Sequence, residues 1–228
     1  MSQNGSGQTN SGISGGFLIS QSTAPPPTNL PGTGRASLRR HYRQARRSLT
    51  PRERAQRTHA IVCHAMSGLA LLKARRIAAF AAADGEPDLS ALLLRLHQMG
   101  KTLALPVVAA RGQMSFYRHQ PGEQGATNRY GILEPALDAA AIDTRSIQVV
   151  LTPMVAFDRH GNRLGMGAGY YDRHFAPLPR RLRPRLVGIA YDLQHADDLC
   201  AEPWDVALDA VVTESGWQQF PAAAGGRD

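Results

Sequence analysis

The stretch Arg163–Arg173, "RLGMGAGYYDR", sets three glycines at alternate positions, Gly165, Gly167 and Gly169, ahead of two tyrosines and a carboxylate. Glycine lets the backbone take positive φ and approach a ligand without a Cβ, so successive N–H groups can converge on an anion. The spacing fits neither the dinucleotide fingerprint G-x-G-x-x-G nor a Walker loop, which ends in Gly-Lys-Ser/Thr. From the glycines alone, a phosphate-binding loop and a glycine-rich surface turn stand about level. Arg163 and Arg173, on either side, favour phosphate. Asp172 is a candidate Mg2+ ligand, because magnesium uses one or two protein carboxylates and takes the rest from water and phosphate. Its alternative is a capping aspartate in a first helical turn. Tyr170 and Tyr171 point about 100° apart on a helix, which lets one pack on the core while the other faces a cleft, with two core tyrosines as the alternative. Glu86, in "DGEPDL", is a second candidate acid, with an exposed loop glutamate as the alternative.

Other chemistries find no support. The eight histidines show no zinc spacing, and no G-x-S-x-G occurs. Cys63 and Cys200 stand alone and are expected to be buried small hydrophobes rather than a disulfide or metal pair.

The net charge of +8 is local. Nine arginines and one acid, Glu53, lie between Arg35 and Arg57; outside that stretch 17 basic residues balance 17 acids. A basic chain of this kind suggests nucleic acid, but no recognition motif accompanies the arginines, and Tyr42 is the one aromatic among them. Arg35, Arg39 and Arg43 share a helical stripe, which suits a solvated basic face or a local phosphate site.

These groups need elements to hold them. Leu38, Tyr42, Ala45 and Leu49 recur on one face of a first helix, and "TPRE" from Thr50 is a capping box that starts a second, running from about Pro51 to Leu72. Strands are expected at Arg76–Ala82, Lys101–Val108, Gln113–His119, Ile147–Asp158, Arg185–Tyr191 and Asp209–Glu214, with a helix over Asp88–Gly100. Strands that are apolar throughout, separated by helices, predict an α/β fold: a mostly parallel open sheet with helices on both faces, three layers in all. Such sheets bind ligands beyond the carboxyl ends of their strands, where both Glu86 and the glycine loop fall.

At 228 residues and 43% hydrophobic composition, one domain is expected, over residues 35–217. Residues 1–34 carry no charge and are rich in Ser, Gly, Gln, Asn and Pro, which predicts a disordered extension. Residues 218–228 are expected to form a flexible tail. The chain shows no secretory signal and no apolar run of membrane-spanning length, so a cytoplasmic protein is expected.

Taken together, these segments resemble the 5-formyltetrahydrofolate cyclo-ligase family, also called methenyltetrahydrofolate synthetases. The resemblance runs from about Arg35 to Glu214. It rests on "RASLRRHYRQARRSLTPRER", "GEPDL", "YGILEP", "VAFDRHGNRLGMGAGYYDR" and "WDVALDAVVTE", five segments in the family's order. It implies an ATP-dependent, Mg2+-assisted closure of 5-formyltetrahydrofolate to 5,10-methenyltetrahydrofolate, with ADP and phosphate released. It also implies site residues. Arg35 and Arg39 correspond to an ATP-contacting basic pair, and the nucleotide loop comprises Arg163, Leu164, Gly165, Met166, Gly167, Ala168, Gly169, Tyr170 and Tyr171. Asp172 would hold Mg2+, with Asp209 as a second metal carboxylate. Ala81, Glu86, Tyr130 and Tyr170 would contact the folate, and no residue is assigned as general acid or base. Arg35 stands where the family usually has lysine, and Met166 and Ala168 occupy variable positions. The cluster Arg39 to Arg57 is expected to attract the tail of a polyglutamylated substrate.

Overall fold

A computed structural model describes residues 34–109, 112–123, 125–127, 131–136 and 138–221. The expected extension, apart from residue 34, and positions 222–228 of the expected tail lie outside the described residues, as does Tyr130.

The chain opens with α1 (Arg35–Arg47), α2 (Pro51–Ser67) and α3 (Leu69–Lys73), then β1 (Arg76–Ala78), α4 (Ser90–Gln98), β2 (Thr102–Val108) and β3 (Met114–His119). Short strands β4 (Ala126–Thr127), β5 (Leu133–Glu134) and β6 (Ala141–Ile142) follow, and then β7 (Val149–Thr152), β8 (Ala156–Asp158) and β9 (Arg163–Leu164). The chain ends with α5 (Tyr170–Phe175), β10 (Arg185–Ile189), β11 (His195–Ala196), β12 (Ala210–Thr213) and β13 (Gly216–Gln219).

Eight strands form one sheet in the order β13-β12-β10-β7-β1-β2-β3-β6. The five central strands are parallel, and β13, β3 and β6 add antiparallel edges. The expected mostly parallel α/β sheet is therefore observed. Side chains alternate between its two faces, as strand geometry requires. Ile77, Leu103, Leu105, Val149, Leu151, Val187 and Val212 join one buried cluster with Ile61, Leu71, Leu92 and Leu96 of α2, α3 and α4. Ala78, Ala104, Val150, Leu186 and Val211 turn to the other face, under Phe116, Phe157 and Phe175. That second face is covered by the six-residue α5 and irregular chain, a thinner layer than the expected row of helices.

Four local expectations change. The apolar run Ile147–Asp158 is two strands, not one: β7 lies in the large sheet, and β8 pairs with β9 and β11 in a separate three-stranded sheet. Pro153, with no N–H for a ladder, sits at the break. The second helix ends at Ser67, where Gly68 turns the chain into α3; a Cβ on Gly68 would lie 2.1 Å from the Trp217 ring. Both cysteines are exposed rather than buried. At the carboxyl end, β13 runs to Gln219 and Phe220 is buried, so ordered structure passes the expected boundary at residue 217.

The capping box at α2 forms as its sequence predicts: the Glu53 backbone N–H donates to Thr50 Oγ1 at 3.2 Å, and the Thr50 N–H donates to Glu53 Oε2 at 2.9 Å. Helix α1 packs Leu38 and Tyr42 on Ala156, Leu164 and Ala196 of the small sheet and on Val155 and Leu199 beside it. This packing lays its arginines beside both candidate loops.

Candidate active site

The glycine loop leaves β9 and enters α5. Gly167 has φ of +106° and Gly169 has φ of +63°, a left-handed conformation at the helix cap, whereas Gly165 is not in that region. Side chains would be strained at Gly167 and Gly169, and a Cβ on Gly167 would sit 3.7 Å from the Arg39 guanidinium. Arg39 Nε donates to the Gly165 carbonyl at 2.8 Å, fastening α1 to the loop.

A cavity of about 530 Å3 opens between these elements, and Arg39, Gly167, Asp172, Arg173, Trp204 and Asp205 are among its lining residues. Three acids line it: Asp172, Asp205 and the exposed Glu202. Asp172 Oδ1 accepts from Arg163 Nη2 at 2.6 Å and from the Val206 N–H at 3.1 Å. Asp205 Oδ2 accepts from Arg35 Nη1 and from the Glu202 N–H, at 2.8 and 2.9 Å. In these contacts Asp172 and Asp205 each use one oxygen. Among the described residues no cluster of three or more His, Cys, Asp or Glu forms a metal cage. A pair of carboxylates beside an anion loop fits magnesium, which keeps much of its shell as water and phosphate.

Asp209 does not join them. It precedes β12 and accepts from Arg180 at 2.8 Å, from Arg183 at 2.7 Å and from the Leu186 N–H at 2.8 Å, so both of its oxygens are committed. Asp205, four residues earlier, lines the cavity where Asp209 does not. Sequence reasoning missed it, although "WDVALD" carries both acids and Trp204, which is 63% exposed on the same cavity wall, marks the right one.

Arg163 and Leu164 also differ from expectation. Both are buried: Leu164 pairs with Ala156 in the small sheet, and Arg163 donates inward to Asp172 and the Val206 carbonyl. The Arg163 guanidinium lies 5.9 Å from the Tyr171 ring centroid. It bonds Asp172 and is not among the residues that line the cavity. Met166 and Ala168 are exposed on the loop. Arg173 donates to the Ala168 carbonyl, and its guanidinium stands 5.5 Å from the Tyr170 ring centroid.

The second acid loop follows β1. Ala81 lies three residues beyond the end of that strand and is half-buried. Asp84, with φ of +53°, and Gly85 turn the chain so that Glu86 points inward. Glu86 Oε2 accepts from the Ala83 N–H at 3.1 Å, and Oε1 lies 3.6 Å from Arg46. Burial pushes the Glu86 carboxyl up to about 7, with the Arg46 charge and the Ala83 N–H opposing. Burial also opposes ionisation of Asp84, yet hydrogen bonds from Arg43 and Arg47 and the charge of Arg46 bring it down to about 2. Burial, and then the charge of Glu86, raise the Tyr171 phenol. Tyr170 and Tyr171 both pack against the second-face core while staying partly exposed, the alternative with both on the core.

The arginine segment is thus largely engaged inside the molecule. Arg35 pairs with Asp205, Arg39 holds the loop, Arg43, Arg46 and Arg47 converge on Asp84, and Arg57 pairs with Glu214. A polyglutamyl tail cannot reach Arg46, which is fully enclosed.

The sequence profile of the 5-formyltetrahydrofolate cyclo-ligase family matches residues 32–214. The chain belongs to that family. It is 37% identical over 176 residues to the 5-formyltetrahydrofolate cyclo-ligase of Escherichia coli K12, covering 76% of this chain and 96% of that protein. The corresponding Haemophilus influenzae enzyme is 34% identical, covering 78% of this chain and 96% of its own length. Among solved structures, the 5,10-methenyltetrahydrofolate synthetase of Aquifex aeolicus superposes with a TM-score of 0.71 at 31% identity, covering 85% of this chain and 95% of that one. The chain is therefore a cyclo-ligase-family enzyme, and the family's reaction takes ATP and a reduced folate.

Proposed function

We propose that this enzyme converts 5-formyltetrahydrofolate to 5,10-methenyltetrahydrofolate with Mg2+ and ATP. The observation that carries the reading is the meeting of two sites at one short helix. The glycine loop, Arg39, Asp172 and Asp205 face one cavity, while the charge of the buried Glu86 acts on Tyr171 of the same α5.

In this reading the triphosphate lies along Gly165–Gly169 with Arg39 and Arg173 beside it, and the nucleobase lies against Trp204. Asp172 and Asp205 would hold Mg2+, which when bound neutralises charge on the β- and γ-phosphates. Arg163 keeps the Asp172 carboxylate fixed. Glu86 accepts from the aminopyrimidine N–H groups of the pterin, and Tyr170 lines the passage between the ligands. The formyl oxygen attacks the γ-phosphorus and ADP leaves. N10 then attacks the formyl carbon, its proton passes to solvent, and the C–O bond breaks to release phosphate. A formamide oxygen leaves poorly until phosphorylated, so holding the two ligands in line is the enzyme's main task.

Heavy-oxygen label placed in the formyl group is expected in the released phosphate. Label retained in water or folate instead would contradict the phosphorylated intermediate. The nucleotide placement has its own check. Trp204 and Trp217 are the two tryptophans, and Trp217 is partly buried with its N–H donating to the His64 carbonyl at 2.6 Å. ADP is expected to quench the intrinsic fluorescence of the wild type and to leave Trp204→Phe unquenched. Equal quenching in both proteins would move the base away from Trp204.

A further inference from the structure

Arg46 is the largest fully buried side chain among the described residues, on a helix face whose arginines otherwise reach the surface or a cavity. Its Nε donates to the Asp84 carbonyl at 3.0 Å, Nη2 to the Asp84 carboxylate at 2.9 Å, and Nη1 to the Met154 carbonyl at 3.0 Å. The same Nη1 stands 3.6 Å from Glu86 Oε1. Taking a guanidinium out of water is expensive unless it has a partner that needs it. Asp84 does not supply the whole reason, because Arg43 and Arg47 already pair with it. What Arg46 alone among these three arginines reaches is Glu86 and the chain between β7 and β8. It also rides the helix whose Arg39 grips the glycine loop.

We propose that Arg46 is a positioning residue for the folate: from α1 it fixes the Glu86 carboxylate and keeps it ionised to accept the pterin's N–H donors. The inference rests on the reading of Glu86 as a folate contact. The charged and titratable groups facing Glu86 are Arg46 from α1, Asp84 from its own loop and Tyr171 from α5. Of these Arg46 alone carries positive charge, and with the Ala83 N–H it opposes the burial that favours the protonated acid.

The test is the KM for 5-formyltetrahydrofolate, read from ADP release between about pH 6 and pH 9, in the wild type, Arg46→Met, Arg46→Gln, Arg46→Lys and Glu86→Gln. The wild-type KM is expected to fall as pH rises through about 7. The profile of Glu86→Gln is expected to be flat. Arg46→Met is expected to raise KM about tenfold near neutrality and by less than about twofold at the alkaline end, with kcat retained. Arg46→Lys, which restores the charge, should recover most of the loss. If the methionine variant fails to fold, Arg46→Gln decides, being neutral yet able to donate to the Met154 carbonyl. A KM raised equally at every pH, or unchanged, in whichever neutral variant folds would overturn the proposal while leaving Glu86 as the folate contact. A wild-type pH dependence that survives in Glu86→Gln would instead overturn the reading of Glu86, and this inference with it.

Discussion

Asp172→Ala is expected to lower kcat by at least about a hundredfold, the usual loss when a fixed charge at a phosphoryl-transfer site is removed. The variant should also unfold at lower urea than the wild type. Asp172 is the one carboxylate paired with Arg163, whose side chain is 4% exposed. Removing it leaves a buried guanidinium held by the Val206 carbonyl alone, at a cost of about 3 kcal/mol. The two effects can be separated. Asp172→Asn keeps an acceptor for Arg163 and the Val206 N–H but has no charge for a cation, so it should regain much of the stability and little of the activity. Wild-type turnover in the asparagine variant, measured at saturating ATP and folate, would remove Asp172 from the metal site.

Glu86→Gln is expected to bind folate worse and to fold better above neutral pH. An ionised acceptor of two pterin N–H groups is replaced by an amide that accepts through one oxygen, so KM should rise by about tenfold or more, in line with the worth of charge-assisted bonds. The stability effect follows from the sign of the pKa shift. Glu86 titrates at about 7 in the fold, above its ordinary 4.5. A carboxyl raised in this way contributes stability that is complete below the ordinary value and is lost as pH rises through about 7. Glutamine does not titrate, so the variant gains relative to the wild type from pH 5 to pH 8, by on the order of 3 kcal/mol. Urea midpoints at the two pH values check this. A constant difference between the proteins would show that Glu86 ionises freely.

Much of this arrangement is legible in the sequence where the physics is local. The Thr50–Glu53 box, the glycine at Gly100 after α4, and the alternate-face pattern of the strands each depend on residues a few positions apart. The glycine loop is legible for the same reason, since Gly167 and Gly169 take conformations that side chains resist. The misreadings involve distant partners. Arg46 falls in the cluster expected to attract a polyglutamyl tail, because nothing near it in sequence reveals Asp84 and Glu86, 38 and 40 residues on. Arg163 looks like a phosphate ligand until its carboxylate partner is seen behind the loop. Asp205 and Asp209 are alike as letters, and the contacts to Arg180 and Arg183 decide which of them is committed elsewhere. The split of Ile147–Asp158 had a local signal in Pro153, masked by the apolar residues on both sides.

The most direct test is the near-ultraviolet absorption of 5,10-methenyltetrahydrofolate after purified protein is mixed with 5-formyltetrahydrofolate, ATP and Mg2+. The absorption should grow with time, in proportion to enzyme and to the ADP released, and should be absent when ATP is omitted. No growth above the enzyme-free control, from protein that binds ADP, would contradict the proposed function.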